Sequence, residues 1–165
     1  MAVSEIIGAA VGVILLVFVA YVVVGSTLFA AETTTNAQKD ITQLQESRMR
    51  TALVINDAAN DTSVSYIIYA NITNTGSEII SDFSHMDVIV FDRDTGTYEL
   101  DTYDPTIDGA TQQHWYIKDT FGEFMHPRSL DPGEKYRIKI VSKVNTPKWF
   151  QITTANGVSA STVLK

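Results

Sequence analysis

The chain has 165 residues, no cysteine and a formal net charge of -7. That length accommodates one domain and an appendage rather than two separate cores. Without cysteine there are no disulfide staples, thiolate zinc sites or cysteine nucleophiles, and the acidity argues against nucleic acid, whose phosphates need clustered Lys and Arg.

Residues 6–31 are uncharged and mostly Val, Ile, Leu, Ala, Phe and Gly. As a helix this run crosses roughly 30 Å of hydrocarbon. It is too long for the apolar stretch of a cleavable secretory signal and lacks the basic start, the one nearby charge being Glu5. A carboxylate beside an apolar helix is costly unless it reaches the headgroups or finds a cation. Two readings of Glu5 therefore stand: a headgroup-level acid, or a partner for an N-terminal amine of its own chain or a neighbour's. Gly8 and Gly12 place two small residues on one helix face, which permits close approach of another helix. Gly25, Ser26 and Thr27 predict a bend rather than an end. Beyond them, Ala37, Ile41, Leu44 and Arg48 recur at spacings of three or four, which continues the helix to residue 50. The β-branched run Thr33, Thr34, Thr35 is the point where a break is most expected.

From residue 51 the pattern changes to short runs of Val, Ile, Tyr, Phe and Thr between Gly, Pro, Asn and Asp. Strands are predicted over 52–55, 64–73, 78–80, 87–91, 98–100, 114–118, 135–143, 149–154 and 158–163. Turns fall at Asn74-Thr75-Gly76, Asp94-Thr95-Gly96, Asp131-Pro132-Gly133-Glu134 and Asn156-Gly157, the last being the strongest hairpin signal. With no helical pattern between the strands, the expected fold class is α+β: a long N-terminal hydrophobic helix over 1–50, then an antiparallel immunoglobulin-like β-sandwich or barrel over 51–165. Tyr136, Ile138 and Ile140 alternate with Arg137, Lys139 and Val141, so one face of that strand points inward. Trp115, Trp149 and Phe150 are candidates for the core or for a subunit contact.

No nucleophile elbow, P-loop, dinucleotide fingerprint or HExxH occurs. His85, His114 and His126 lack metal-ligand spacing, and no cofactor is expected. The acidic stretch Asp92, Asp94, Glu99, Asp101, Asp104 and Asp108 holds oxygen ligands suited to a hard cation, with Asp92 and Asp94 the candidates, but Gly96 stands where an EF-hand needs a ligand. Solvated turns explain the stretch more simply. Two N-glycosylation triplets begin at Asn60 and Asn71, and Asn60, in a polar stretch, reads as the better acceptor.

The opening Met1-Ala-Val-Ser-Glu5-Ile-Ile-Gly8, the apolar run and the β region after it resemble the type IV pilin-like proteins of archaea. Within them the chain looks most like an archaellin, subunit of the archaeal flagellum, and the segment Ile152-Thr-Thr-Ala-Asn-Gly-Val-Ser-Ala160 is similar to archaellins too. The resemblance implies a non-enzymatic filament subunit for swimming motility on the archaeal cell surface. A prepilin-type peptidase would remove a short basic leader, Met1 being either the mature first residue or a translation start. The helix would sit in the membrane first and then, through the assembly machinery, in the core of a helical homo-oligomer sheathed by β domains. Two further readings stand beside it. One is a membrane-anchored binding module, such as an archaellum stator protein gripping the surface layer; the other is an adhesive type IV pilin.

Overall fold

A computed structural model describes residues 2–106, 112–122 and 125–164. One helix, α1, runs Ala2–Arg50. It passes through both segments where loosening or interruption was expected, and the hydroxyls explain how. Ser26 and Thr27 both donate to the Val23 carbonyl at 2.9 and 2.8 Å. Thr33, Thr34 and Thr35 donate to the carbonyls of Phe29, Ala30 and Ala31 at 2.8 to 2.9 Å. Threonine in a helix has a rotamer that bonds one turn back, and this offsets part of its low propensity.

The chain divides into two compact units, Met1–Leu44 and Gln45–Lys165. In the second, eight strands follow the last turns of α1: β1 Leu53–Asn60, β2 Ile67–Asn74, β3 Asp87–Asp92, β4 Tyr98–Tyr103, β5 His114–Phe121, β6 Lys135–Val141, β7 Pro147–Thr153 and β8 Ser159–Val163. Their order in the sheet is β1-β2-β6-β5-β4-β3-β7-β8. The outer strands β1 and β8 approach one another without a hydrogen-bonded ladder, so the sheet nearly closes into a barrel. It is also mixed: β4 and β5 run parallel through Thr102–His114 and Tyr103–Trp115. The near closure agrees with the barrel alternative of the expected sandwich or barrel, and the parallel pair corrects the expectation that every pairing is antiparallel. Residues 78–80 contribute only an isolated bridge, Ile80 to Leu130, rather than a strand.

Alternation along the strands fills the interior. Ile68, Ile72, Val88, Val90, Trp115, Tyr136, Ile138, Ile140, Phe150 and Ile152 are all buried. Val141, expected on the wet side of β6, is buried as well. Trp149 is not in the core: it projects from the other face of β7, half-buried. The predicted turns at 94–96 and 131–134 form with Gly96 and Gly133 at φ +68° and +86°, a region that favours glycine.

Candidate functional site: the apolar helix and the polar junction of the β unit

In α1 the large apolar side chains from Val3 to Phe29 are exposed, and the helix is long and apolar enough to cross a membrane. Glu5 lies in the first turn, where a carboxylate favours the helix dipole. A Cβ placed on Gly8 or Gly12 would meet nothing within 4 Å. The space beside both glycines is therefore open.

At its C-terminal end α1 is anchored by a junction that the sequence pattern did not reveal. The amide nitrogen of Asn156 donates to the Thr51 hydroxyl at 2.6 Å and the Ser47 hydroxyl at 3.2 Å. Its backbone carbonyl accepts from Arg48 Nε at 2.6 Å, and its Oδ1 accepts from the Thr154 hydroxyl at 2.6 Å. Gly157, at φ +84°, lets the guanidinium of Arg48 pass, since a Cβ there would lie 3.1 Å from Arg48 Nη2. The Asn156-Gly157 pair thus sits in the β7–β8 loop, as its hairpin signal implied, yet its side chain serves the helix. Opposite it, the amides of Ser77 and Glu78 donate to the Arg50 carbonyl at 2.8 and 3.2 Å. This satisfies carbonyl capacity that a helix terminus otherwise leaves open. The approach requires Gly76, because a Cβ there would overlap the Arg50 carbonyl oxygen and sit 2.5 Å from the Ala52 nitrogen.

The acidic stretch is dispersed into separate structural roles. Asp92 Oδ1 accepts from the Thr146 hydroxyl at 2.6 Å and the Asp94 amide at 2.9 Å, and these bonds hold its carboxyl below the usual range. Asp104 is lowered in the same way by the hydroxyl and amide of Thr106. Glu99 Oε2 accepts from the Ser142 hydroxyl and the Lys143 amide, both at 2.8 Å. Asp101 is different: it is fully buried and neither carboxylate oxygen has a hydrogen-bond partner. Burial, reinforced by the charge of Glu99, pushes its pKa up to about 8. Asp108 lies outside the described residues. Among those described, no group of three or more His, Asp or Glu is placed to hold a metal ion. The histidines are separate, His85 meeting Asp82 at 2.7 Å, His126 meeting Asp131 at 3.0 Å and His114 meeting Thr102 at 3.2 Å.

Of the glycosylation candidates, Asn60 ends β1 rather than sitting in a loop, and its amide nitrogen donates to the Pro147 carbonyl at 3.3 Å. Asn71 lies within β2, half-buried, its Oδ1 accepting from Arg137 Nε at 3.3 Å.

Comparison with known proteins gives a coherent picture. An uncharacterized protein of Archaeoglobus fulgidus is 26% identical over 160 residues, covering 96% of this chain and 92% of that protein. Among solved structures, the archaellum periplasmic stator protein FlaG from Sulfolobus acidocaldarius matches with a TM-score of 0.50 at 22% identity, over 69% of this chain and 99% of that one. The archaeal flagellin FlaB1 from Methanocaldococcus jannaschii matches with a TM-score of 0.51 at 12% identity, over 68% of this chain and 88% of that one. At these identities the two structures establish a shared fold. The family model for archaeal-type flagellin matches residues 2–164, nearly the whole chain, which therefore belongs to the archaeal-type flagellin family.

Proposed function

We propose that the chain is a membrane-anchored, stator-type component of the archaellum, with its apolar helix held in the cell membrane and its β unit outside, gripping the surface layer. Membership of the archaeal-type flagellin family already makes it a non-catalytic, type IV pilin-like protein of the archaellum system. The observation that carries the stator reading is the extent of the likeness to the FlaG fold, which takes in 99% of that chain. The physical chemistry agrees with a stationary part. An exposed apolar helix of this length is stable in lipid without further partners. The ladders of the β unit and the Asn156 junction supply the rigidity that a load-bearing attachment needs. The direct test is co-sedimentation of the detergent-purified full chain with isolated surface-layer sheets. Saturable binding is expected, and recovery of all the protein in the supernatant would contradict the reading.

A filament subunit is the second reading, favoured by the family match over residues 2–164. On that reading Gly8 and Gly12 are helix-packing positions, and Glu5 pairs with the N-terminal amine of a neighbour. Gly8→Leu or Gly12→Leu would then abolish filaments while leaving the β unit folded. Under the stator reading both variants stay in the membrane and function. In either case the β unit lies outside the cell, and Asn60 and Asn71 are proposed as N-glycan acceptors, to be checked by the peptide masses of the purified protein.

A further inference from the structure

Strands β4 and β5 pair only through Thr102–His114 and Tyr103–Trp115 before β4 ends. Among the described residues, β5 therefore runs on from Ile117 without a strand on that side. The gap is a cavity of about 780 Å³, within the size range of small-molecule sites. Phe83 and Tyr136, both buried, line it together with half-buried Tyr103. The Tyr103 ring is fixed on two sides, with centroids 5.8 Å from Phe83 and 4.8 Å from Trp115. Ser81, Thr120 and Arg128, all exposed, also line the cavity.

Arg128 is held there under backbone strain. Its φ is +69°, in the left-handed region that residues other than glycine rarely adopt. The segment around it is tied down at several points. The His126 amide donates to Asp131 Oδ2 at 3.1 Å, the Ser129 amide to the His126 carbonyl at 3.0 Å, and the Tyr136 hydroxyl to the Ser129 carbonyl at 2.6 Å. Strain of this kind persists where the surroundings over-determine it, and it clusters at ligand sites. Burial pushes the Tyr103 phenol up and the charge of Arg128 acts against that, which places the guanidinium near the phenol. Asp104, the acid that acts on the same phenol, has Oδ1 taken up by the amide and hydroxyl of Thr106. Among the described residues the Arg128 guanidinium has no ion pair, and the hydroxyls of Ser81, Tyr103 and Thr120 have no hydrogen-bond partner. One cation and three hydroxyls thus converge on a single cavity without serving the fold.

We propose that this cavity binds a carboxylated sugar, the uronic acid unit of a saccharide. The guanidinium calls for an anion, and its planar fork fits a carboxylate through two parallel hydrogen bonds. The hydroxyls of Ser81, Tyr103 and Thr120 can each donate and accept, which matches the hydroxyls of a sugar. A sulfate or a phosphodiester only accepts, and an aliphatic carboxylate has no use for them. Tyr103 presents an apolar ring beside its hydroxyl, the counterpart of a sugar ring with C–H faces and a polar edge. Because the tether of the Arg128 segment is already formed, little ordering is left to oppose binding. The inference needs neither the stator nor the filament reading, so its failure and theirs are separate outcomes.

The test is titration calorimetry on the detergent-purified full chain. Digalacturonic acid is the probe, lactose the neutral disaccharide and glutarate the carboxylate without a ring. Saturable binding of digalacturonic acid is expected, about tenfold or more tighter than that of lactose or glutarate, as a charged hydrogen-bonding pair implies. Arg128→Gly is the decisive variant. Glycine removes the guanidinium and also relieves the φ of +69°. Its thermal midpoint is therefore expected to hold or rise while the affinity falls about tenfold or more. Arg93→Gln, an exposed cation outside the cavity, is expected to leave the affinity unchanged. No saturable binding of digalacturonic acid, equal binding of lactose or glutarate, or an unchanged affinity in Arg128→Gly would each overturn the proposal.

Discussion

Asp101 is the residue whose behaviour the fold changes most. Its carboxyl is buried without a hydrogen-bond partner and titrates near pH 8 in the folded protein, against a reference value of 3.8. Between those values the folded state holds a proton that the unfolded chain has released, so stability falls as pH rises from about 4 to about 8. Asp82, Asp92 and Asp104 act in the opposite sense, since their lowered values give stability that is lost as the medium becomes more acid than the usual carboxylate range. Thermal melts of Asp101→Asn should therefore be flatter than wild type between pH 5 and 8, with a higher midpoint at pH 8; identical slopes would show that Asp101 carries no such linkage. At the junction, Asn156→Ala removes side-chain bonds to Ser47, Thr51 and Thr154 and should cost about 1–3 kcal/mol, measured by denaturant unfolding. Gly76→Ala should cost more, because the obstruction is backbone on both sides and cannot rotate away. None of these roles was visible in the chain as a string. Asn156-Gly157 announced a turn, and nothing in the local spacing signalled that the Asn amide would reach a helix more than one hundred residues earlier. Asp101 looked like one more acid in a polar stretch, because which side of β4 it occupies is decided by pairing with β3.

At the scale of elements, periodicity identified most of the architecture. The apolar run gave α1, and alternation or β-branched content gave the eight strands to within a few residues at most ends. What periodicity omitted was physical in origin. The hydroxyl bonds that carry α1 through Thr33, Thr34 and Thr35 depend on side-chain rotamers rather than on propensity. The parallel pairing of β4 and β5 rests on only two residue pairs and on the route of the connection between them, which hydrophobic pattern does not encode. Trp149 and Phe150 are adjacent and aromatic, yet only Phe150 is core, since neighbours on a strand face opposite ways. For α1 the consequence is that its exposed apolar middle is long enough to cross a membrane. Val17→Arg should oppose insertion by about 2.5–3.5 kcal/mol. Carbonate extraction is expected to release that variant from membranes that retain the wild-type chain.

At the scale of the whole molecule, the chain is an archaeal-type flagellin family member with one apolar helix and one nearly closed β sheet. On the proposed reading its work is mechanical and resides in what the helix and the outer surfaces of the β unit hold on to. A stationary anchor and a filament subunit make opposite demands on the same helix, one permanent residence in lipid and the other departure from it. Shearing cells that express the native chain, then locating it by quantitative immunoblot and immunogold negative stain, separates these demands. On the stator reading the protein stays with the cell envelope at near its full amount while the released fibres carry none. Fibres labelled along their length, with the envelope depleted, would contradict it.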